Sequence, residues 1–345
     1  MSRKIAVVLF NLGGPDGQAD VKPFLRYLFR DPAIIGAPGP IREFLAWLIS
    51  TRREREAQAN YALMGGGSPL LTETRSQADA LTKRLNQSGD SEFRVFIAMR
   101  YWHPFVEEAV REVATWGPDE TVLLPLYPQF STTTTGSSLK AWKDAGGGAA
   151  RTVCCYPENE DFISAHAALI AQSWEKAGRP ENTRLLFSAH GLPERVIAAG
   201  DPYQFQVERT AAAIADRLPQ LTDWQICYQS RVGPLTWIGP ATEDSIREAA
   251  EVDRHILLVP IAFVSEHIET LVELDIEYRE LAKDTRPGVG YTRVPALGVA
   301  DGYVTALSGL VSGALEGPAG MKPPNGQRLC PADRSQCPCA GMETR

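Results

Sequence analysis

The 345-residue chain contains no run of 18 apolar residues, whereas a helix needs about 20 to span the hydrocarbon core of a bilayer. A helical membrane span is therefore not expected. Positive charge is also scarce: 35 Lys and Arg stand against 42 Asp and Glu, giving a formal net charge of −7 with no basic stripe. That argues against a nucleic-acid partner, because phosphate binding needs clustered Lys and Arg. No low-complexity block interrupts a composition that is 44% hydrophobic and 22% charged, which suits a soluble globular protein of about two domains. The N-terminus lacks a signal-peptide core, since only Ile5 to Phe10 are apolar before Asn11-Leu12-Gly13-Gly14-Pro15 reads as a turn. A cytoplasmic location is the expectation. In a reducing compartment the six cysteines are ligands or buried thiols rather than disulfides.

What is present is a repeated alternation of short apolar runs with helical periods. Strands are expected near 5–10, 94–98, 121–125, 151–155, 184–187, 224–228, 255–260 and 289–293. Helices follow most of them, among them 104–115, 160–177, 203–218, 243–251, 268–283 and 303–316. Such alternation implies parallel sheets covered on both faces. The strands fall into two groups of four, with a weak internal echo between 122–131 and 256–265. The fold class is α/β: two similar doubly wound, Rossmann-like lobes with four-stranded parallel sheets and an active-site cleft between them. The boundaries predicted are an N-terminal lobe at 1–160, a C-terminal lobe at 161–316 and a cysteine-bearing extension at 317–345. Residues 31–69, with Pro32, Pro38, Pro40 and an amphipathic stretch from Phe44 to Ile49, read as an inserted lip rather than a core element. The tail from Gly317 has no apolar period, so it should lack regular structure unless something ties it down.

Leu185-Leu186-Phe187-Ser188-Ala189-His190-Gly191-Leu192-Pro193 runs an apolar strand into a histidine on a Gly/Pro turn. Ligands in open parallel sheets bind beyond the carboxyl ends of strands, and an imidazole there can accept a proton near neutrality. Downstream, Glu269, Glu273 and Glu277 recur every four residues, which lines one face of a helix with carboxylates. Like charges at that spacing repel, and oxygen ligands of this kind suit a divalent ion that is held loosely and passed on.

The motifs Asn11-Leu12-Gly13-Gly14-Pro15, Gly65-Gly66-Gly67-Ser68-Pro69, Arg100-Tyr101, Tyr127-Pro128-Gln129, Thr134-Thr135-Gly136-Ser137-Ser138, Ser188-Ala189-His190-Gly191-Leu192-Pro193, Gln229-Ser230-Arg231-Val232-Gly233-Pro234 with Trp237, and His267-Ile268-Glu269-Thr270-Leu271 together resemble ferrochelatase. They keep their order over roughly residues 5 to 315. The resemblance implies a chelatase-like fold and insertion of Fe(II) into protoporphyrin IX with release of two protons, the last step of protohaem synthesis. A planar macrocycle must be puckered and deprotonated while a partly desolvated metal is presented, so binding energy from its periphery has to supply the distortion. By position His190 resembles the active-site histidine and Glu269 its partner carboxylate, with Glu273 and Glu277 starting an acidic metal path. Which of His190 and Glu269 handles protons and which handles iron is left open. The porphyrin-contacting set implied is Leu12, Arg52, Arg53, Arg100, Tyr101, Tyr127, Ser137, Gln229, Trp237 and Phe263. Arg52 and Arg53 resemble lip residues that meet the propionates, and a guanidinium fork suits a carboxylate. Other members carry Met or Tyr at the position of Leu12. A leucine cannot coordinate iron, so its role reduces to packing.

Phe44, Trp47, Leu48 and Ile49 would expose an apolar patch unless folded over. A sparingly soluble porphyrin gives such a patch a use in peripheral contact with the inner membrane or the preceding pathway enzyme. The oligomeric state is left open.

Cys330, Cys337 and Cys339 cluster in a tail with little else to fold it, a pattern pointing to a soft metal centre, either a [2Fe-2S] cluster or zinc. The tail resembles the extension that carries a [2Fe-2S] cluster in several ferrochelatases. The fourth ligand of the animal-type pattern is replaced here by Thr132, leaving Cys154 or Cys155 as the substitute. Cys227 reads as a small buried strand residue. Rival classes are a chelatase for another tetrapyrrole or metal, a haem-binding protein without turnover, and an iron–sulfur electron carrier.

Overall fold

Apolar runs bounded by turn residues become parallel strands. In chain order they are β1 (Arg3–Asn11), β2 (Ser91–Met99), β3 (Glu120–Pro125), β4 (Arg151–Val153), β5 (Thr183–His190), β6 (Trp224–Gln229), β7 (His255–Pro260), β8 (Tyr291–Arg293) and β9 (Gly320–Lys322). The structure, a computed structural model, describes residues 2–87, 89–231 and 235–342. Among these residues one sheet has the order β2-β1-β3-β4-β9 and the other β6-β5-β7-β8, with all pairings parallel. β1 and β5 are interior strands whose apolar residues are buried without a break. That explains why they read as continuous hydrophobic runs rather than as alternating ones.

Contacts divide the chain into two units. The first runs to Tyr127 and takes in Ser131–Cys154 and Leu307–Lys322; the second takes Pro128–Phe130, Cys155–Ala306 and the residues from Pro323 on. The boundary falls inside the helix Asp301–Leu315. In the first unit Val8, Phe10, Ala98, Leu123 and Trp142 share a core. In the second, Leu186, Cys227, Ile246, Leu258 and Leu274 do so. Each fully buried Leu, Ile or Phe adds about 1.5–3 kcal/mol. Cys227 lies on β6 with no exposed surface, and burial pushes its thiol up to about 12.

Three features depart from the sequence expectation. The tail is tied down: β9 pairs with β4, which makes the first sheet five-stranded rather than four-stranded. The lip is regular: after α1 (Val21–Arg30) comes α2 (Gly39–Ala62), a 24-residue helix with a proline in its first turn, where a missing N–H costs nothing. It buries Ala46, Ser50 and Tyr61 and leaves Ile41, Phe44 and Trp47 exposed. Finally, the expected helix over 268–283 is a π-helix at Glu269–Glu277 followed by an α-helix at Tyr278–Thr285. The internal echo extends to this detail, because β3 leads into a π segment at Thr132–Gly136 and then the α-helix Ser137–Asp144.

Candidate active site

His190 is the last residue of β5 and is aligned with Gln229, the last residue of β6. The strand edge therefore sets both side chains. The next residue must be small: Gly191 donates its N–H to the Gln229 carbonyl at 2.9 Å, and a Cβ there would lie 2.9 Å from that same oxygen. Trp237 pairs with Pro193 across the following turn. The motif residues Val232, Gly233 and Pro234 lie outside the described residues.

The π-helix brings its carboxylates to this edge. Glu269 Oε2 lies 2.9 Å from His190 Nδ1. Ser230 Oγ donates toward Glu269 at 3.2 Å and Glu273 at 2.7 Å, while its backbone N–H donates to Glu273 Oε1 at 2.9 Å. Glu273 also accepts from Gln229 Nε2 at 3.1 Å and from the Tyr278 hydroxyl at 2.8 Å. Gln229 is fully buried, and its other end accepts from Ser188 at 2.8 Å. The result is a continuous chain from imidazole to carboxylate to hydroxyl to carboxylate to phenol. Glu277 is exposed at the far end of the helix. An i→i+5 turn is wider than an α turn, so residues four apart no longer stack in line. Glu269 and Glu273 nonetheless converge, because Ser230 reaches both.

The environment pulls the three titrating groups apart. Burial lowers the pKa of His190, but the charge of Glu269, the hydrogen bond to it and the charge of Glu273 together outweigh that, so the imidazole ends above its ordinary value. Burial would raise Glu269; the His190 charge and hydrogen bond, the His267 charge and the Ser230 hydrogen bond overcome it and hold this carboxyl well below the usual range. Glu273 moves upward, first through burial and then through repulsion by Glu269, with the Ser230 and Tyr278 bonds holding part of the rise back. One carboxylate is thus kept ionised while its neighbour is the readier to hold a proton. His267, buried and with its ring 4.6 Å from that of Phe263, is pushed down by burial.

In the first unit a second group of the expected residues meets at the carboxyl ends of β1 and β2. Arg100 and Tyr101 donate their backbone N–H groups to Asn11 and Leu12, each at 2.9 Å. Arg100 Nε donates to Ser137 at 2.7 Å. All three side chains of Arg100, Tyr101 and Ser137 converge on Asp31, which is buried and lies 2.7 Å from the Arg100 guanidinium and 2.8 Å from the Tyr101 hydroxyl. Tyr127 follows β3, and its hydroxyl is buried beside the Ser138 side chain, with burial pushing its pKa upward. Arg52 and Arg53 lie on α2; Arg52 is exposed and Arg53 half-buried. Asp31 and Ser230 escaped sequence reasoning. Asp31 stood among prolines in a presumed lip, and Ser230 sat inside a motif whose weight fell on its glutamine.

Comparison with known proteins follows the same lines. The ferrochelatase family model matches residues 4–315. A ferrochelatase of Caulobacter vibrioides is 60% identical over 343 residues, covering 98% of each chain. That of Hyphomonas neptunium is 58% identical over 351 residues, covering all of this chain and 97% of the other. Among solved structures, CbiX, described as the terminal enzyme for biosynthesis of sirohaem in denitrifying bacteria, superposes with a TM-score of 0.52 at 18% identity, covering 91% of this chain and all of that one. The sirohydrochlorin chelatase SirB of Bacillus subtilis subspecies spizizenii, in complex with cobalt, gives 0.51 at 10% identity, covering 92% and 97%. At that identity the likeness concerns the fold.

Proposed function

Because this chain belongs to the ferrochelatase family, we propose that the edge carrying His190 and Glu269 is where Fe(II) replaces the two pyrrolic protons of protoporphyrin IX. The reaction is that of the family: insertion of Fe(II) into protoporphyrin IX to give protohaem with release of two protons, a metal chelatase activity. The observation that carries the site assignment is the 2.9 Å contact of His190 Nδ1 with Glu269 Oε2 and its continuation through Ser230 to Glu273.

Metalation needs a base for the pyrrole N–H groups and an anionic place for the incoming ion. With Nδ1 taken by Glu269, the Nε2 nitrogen of neutral His190 is the acceptor, and Glu269 stabilises the imidazolium that results. The approach of a dication toward Glu269 and Glu273 weakens their hold on that imidazolium, so arrival of metal and departure of protons are electrostatically linked. Ser230 offers the departing proton a path to Glu273, the carboxyl whose pKa is raised. From the family resemblance, Trp237, Phe263 and Leu12 are proposed as apolar contacts of the ring and Arg52 and Arg53 as partners of its propionates. Arg100, Tyr101, Tyr127, Ser137 and Gln229 complete the set, with Gln229 acting through Glu273. Glu277 extends the acidic path toward solvent.

A [2Fe-2S] cluster on Cys330, Cys337, Cys339 and either Cys154 or Cys155 is a second part of the proposal. In its favour, the tail cysteines are 1%, 4% and 1% exposed in a segment with few apolar side chains. Arg328 curls that segment by donating to the carbonyls of Pro331 at 2.8 Å and Arg334 at 3.1 Å, and the Cys330 and Cys337 thiols interact. Cys155 shares a unit with all three. Among the described residues no three His, Cys, Asp or Glu side chains are arranged to hold a metal ion. The thiols thus match a cluster in donor chemistry and burial rather than in a closed set of ligands. Thiolates there would supply a structural or sensing centre, and no step of metalation runs through it. Anaerobically purified protein should carry about two iron and two acid-labile sulfide per chain; protein without labile sulfide overturns the cluster. In the same preparation, protoporphyrin IX offered with Fe(II) should show the Soret shift of metalation. Failure there, with turnover of a different tetrapyrrole, would favour the rival chelatase.

No helix among the described residues is long and apolar enough to cross a membrane. We infer a cytoplasmic enzyme whose α2 face, with Phe44 57% and Trp47 48% exposed, touches the membrane from which the porphyrin arrives or the enzyme that delivers it. Co-sedimentation with anionic lipid vesicles should fall several-fold in a Phe44→Ser/Trp47→Ser variant. Equal sedimentation of both proteins rules this face out.

A further inference from the structure

The contact between Glu269 and His190 depends on where the π-helix lies against the sheet. The i→i+5 bonding of that helix is rare and poorly self-supporting, yet the 2.9 Å contact between Glu269 and His190 requires it to be fixed against the strand that ends in His190. The fixing comes from β8, the edge strand beside β7. Arg293, at the end of β8, has a side chain only 9% exposed. Its NH1 donates to Glu266 Oε1 at 2.7 Å and its NH2 to Asp275 Oδ2 at 2.6 Å. Glu266 stands three residues before Glu269, in the turn that enters the π-helix, and the same Oε1 accepts the Ala296 N–H at 2.9 Å. Asp275 stands two residues after Glu273. One guanidinium therefore grips the segment on both sides of its two working carboxylates. Two further ties come from the same strand: the Tyr291 hydroxyl donates to the Leu274 carbonyl, and Arg279 NH1 donates to the Tyr291 carbonyl at 3.2 Å.

The geometry points to Arg293 as a positioning residue for metalation, a planar two-pronged brace that sets the register of the π-helix on the sheet and so the places of Glu269 and Glu273 relative to His190. Arginine suits the task because its rigid fork donates to two carboxylates at fixed separation, which a lysine ammonium does not do. This inference rests on the assignment of Glu269 and Glu273 as the working carboxylates. A functional group displaced by about 1 Å can lose about 10²-fold in rate, so the brace should be felt in kcat and not in porphyrin affinity.

Removing the guanidinium also leaves the half-buried Glu266 carboxylate with only the Ala296 N–H as partner among the described residues, so stability and positioning must be separated. Arg293→Met should lower the melting temperature and reduce kcat by about 10²-fold while the KM for porphyrin stays within about threefold. Adding Glu266→Gln to Arg293→Met removes that carboxylate charge; the melting temperature should recover while kcat stays low, since neither Met nor Gln ties the turn to Asp275. Asp275→Ala, at a half-buried position, leaves the Arg293–Glu266 pair in place and should by itself lower kcat with the porphyrin KM unchanged. If kcat returns together with stability in the double variant, or stays near normal in Asp275→Ala, Arg293 is a structural ion pair and the proposal falls. If His190→Ala and Glu269→Gln turn over normally, what fails instead is the underlying site assignment.

Discussion

Replacing His190 by alanine is expected to lower kcat for Fe(II) insertion by about 10²–10⁴-fold, the range typical for loss of a positioned acid–base group. The side chain is 39% exposed and sits at a strand end rather than in the core, so the variant should keep the parental circular dichroism and nearly the parental melting temperature. Porphyrin should still bind, because the apolar and cationic contacts proposed for the ring lie elsewhere. Time-resolved Soret spectra under anaerobic conditions measure the rate. Near-parental turnover in a folded variant removes His190 from the chemistry, and bound but unaltered porphyrin in the parent itself would mark a carrier rather than an enzyme.

Glu269→Gln is expected to cost about as much as His190→Ala, and the double variant scarcely more than either single one, because residues acting as a unit are not additive. The residual rate should carry a second signature. In the parent, Glu269 raises the His190 pKa, so the neutral imidazole that accepts a proton accumulates only as pH rises through a value above the ordinary 6.5. A neutral glutamine removes the larger of the two anionic contributions and leaves Glu273 alone to oppose the downward pull of burial. The acid limb of the kcat/KM profile should therefore move to lower pH in Glu269→Gln. An unmoved limb, with kcat still reduced, would mean that the profile reports another group and that Glu269 acts on the metal alone.

The sequence carried the strand–helix alternation plainly, because parallel strands buried on both faces leave short apolar runs between turn residues, as at Ile5–Phe10 and Leu185–Ala189. Glu269 was paired with His190 through the family resemblance rather than through any local pattern. The sequence did not carry the π geometry, since a carboxylate every fourth residue fits an α-helix equally well. The side chains that gather and hold the functional groups were hidden for a different reason. Asp31 joins Tyr101 from 70 residues away and Ser137 from 106, and Arg293 meets Glu266 across 27. No local period records such pairs. Ser230 was legible only as a letter in a motif; its bridging role depends on a left-handed backbone, φ +61°, that composition does not announce. What ties the tail down has no local signature, because three residues of pairing, Gly320–Lys322, suffice to anchor it to β4.

That short pairing has a consequence for the order in which the protein is made. β4 ends at Val153, but its outer neighbour β9 begins only at Gly320. A ribosome works from the N-terminus, and domains tend to fold as they emerge. The sheet that is started first is thus finished last, after every strand of the other sheet has been synthesised. Through that interval the growing chain presents an open parallel edge along β4, a template for mispairing, which Gly320–Lys322 then cover.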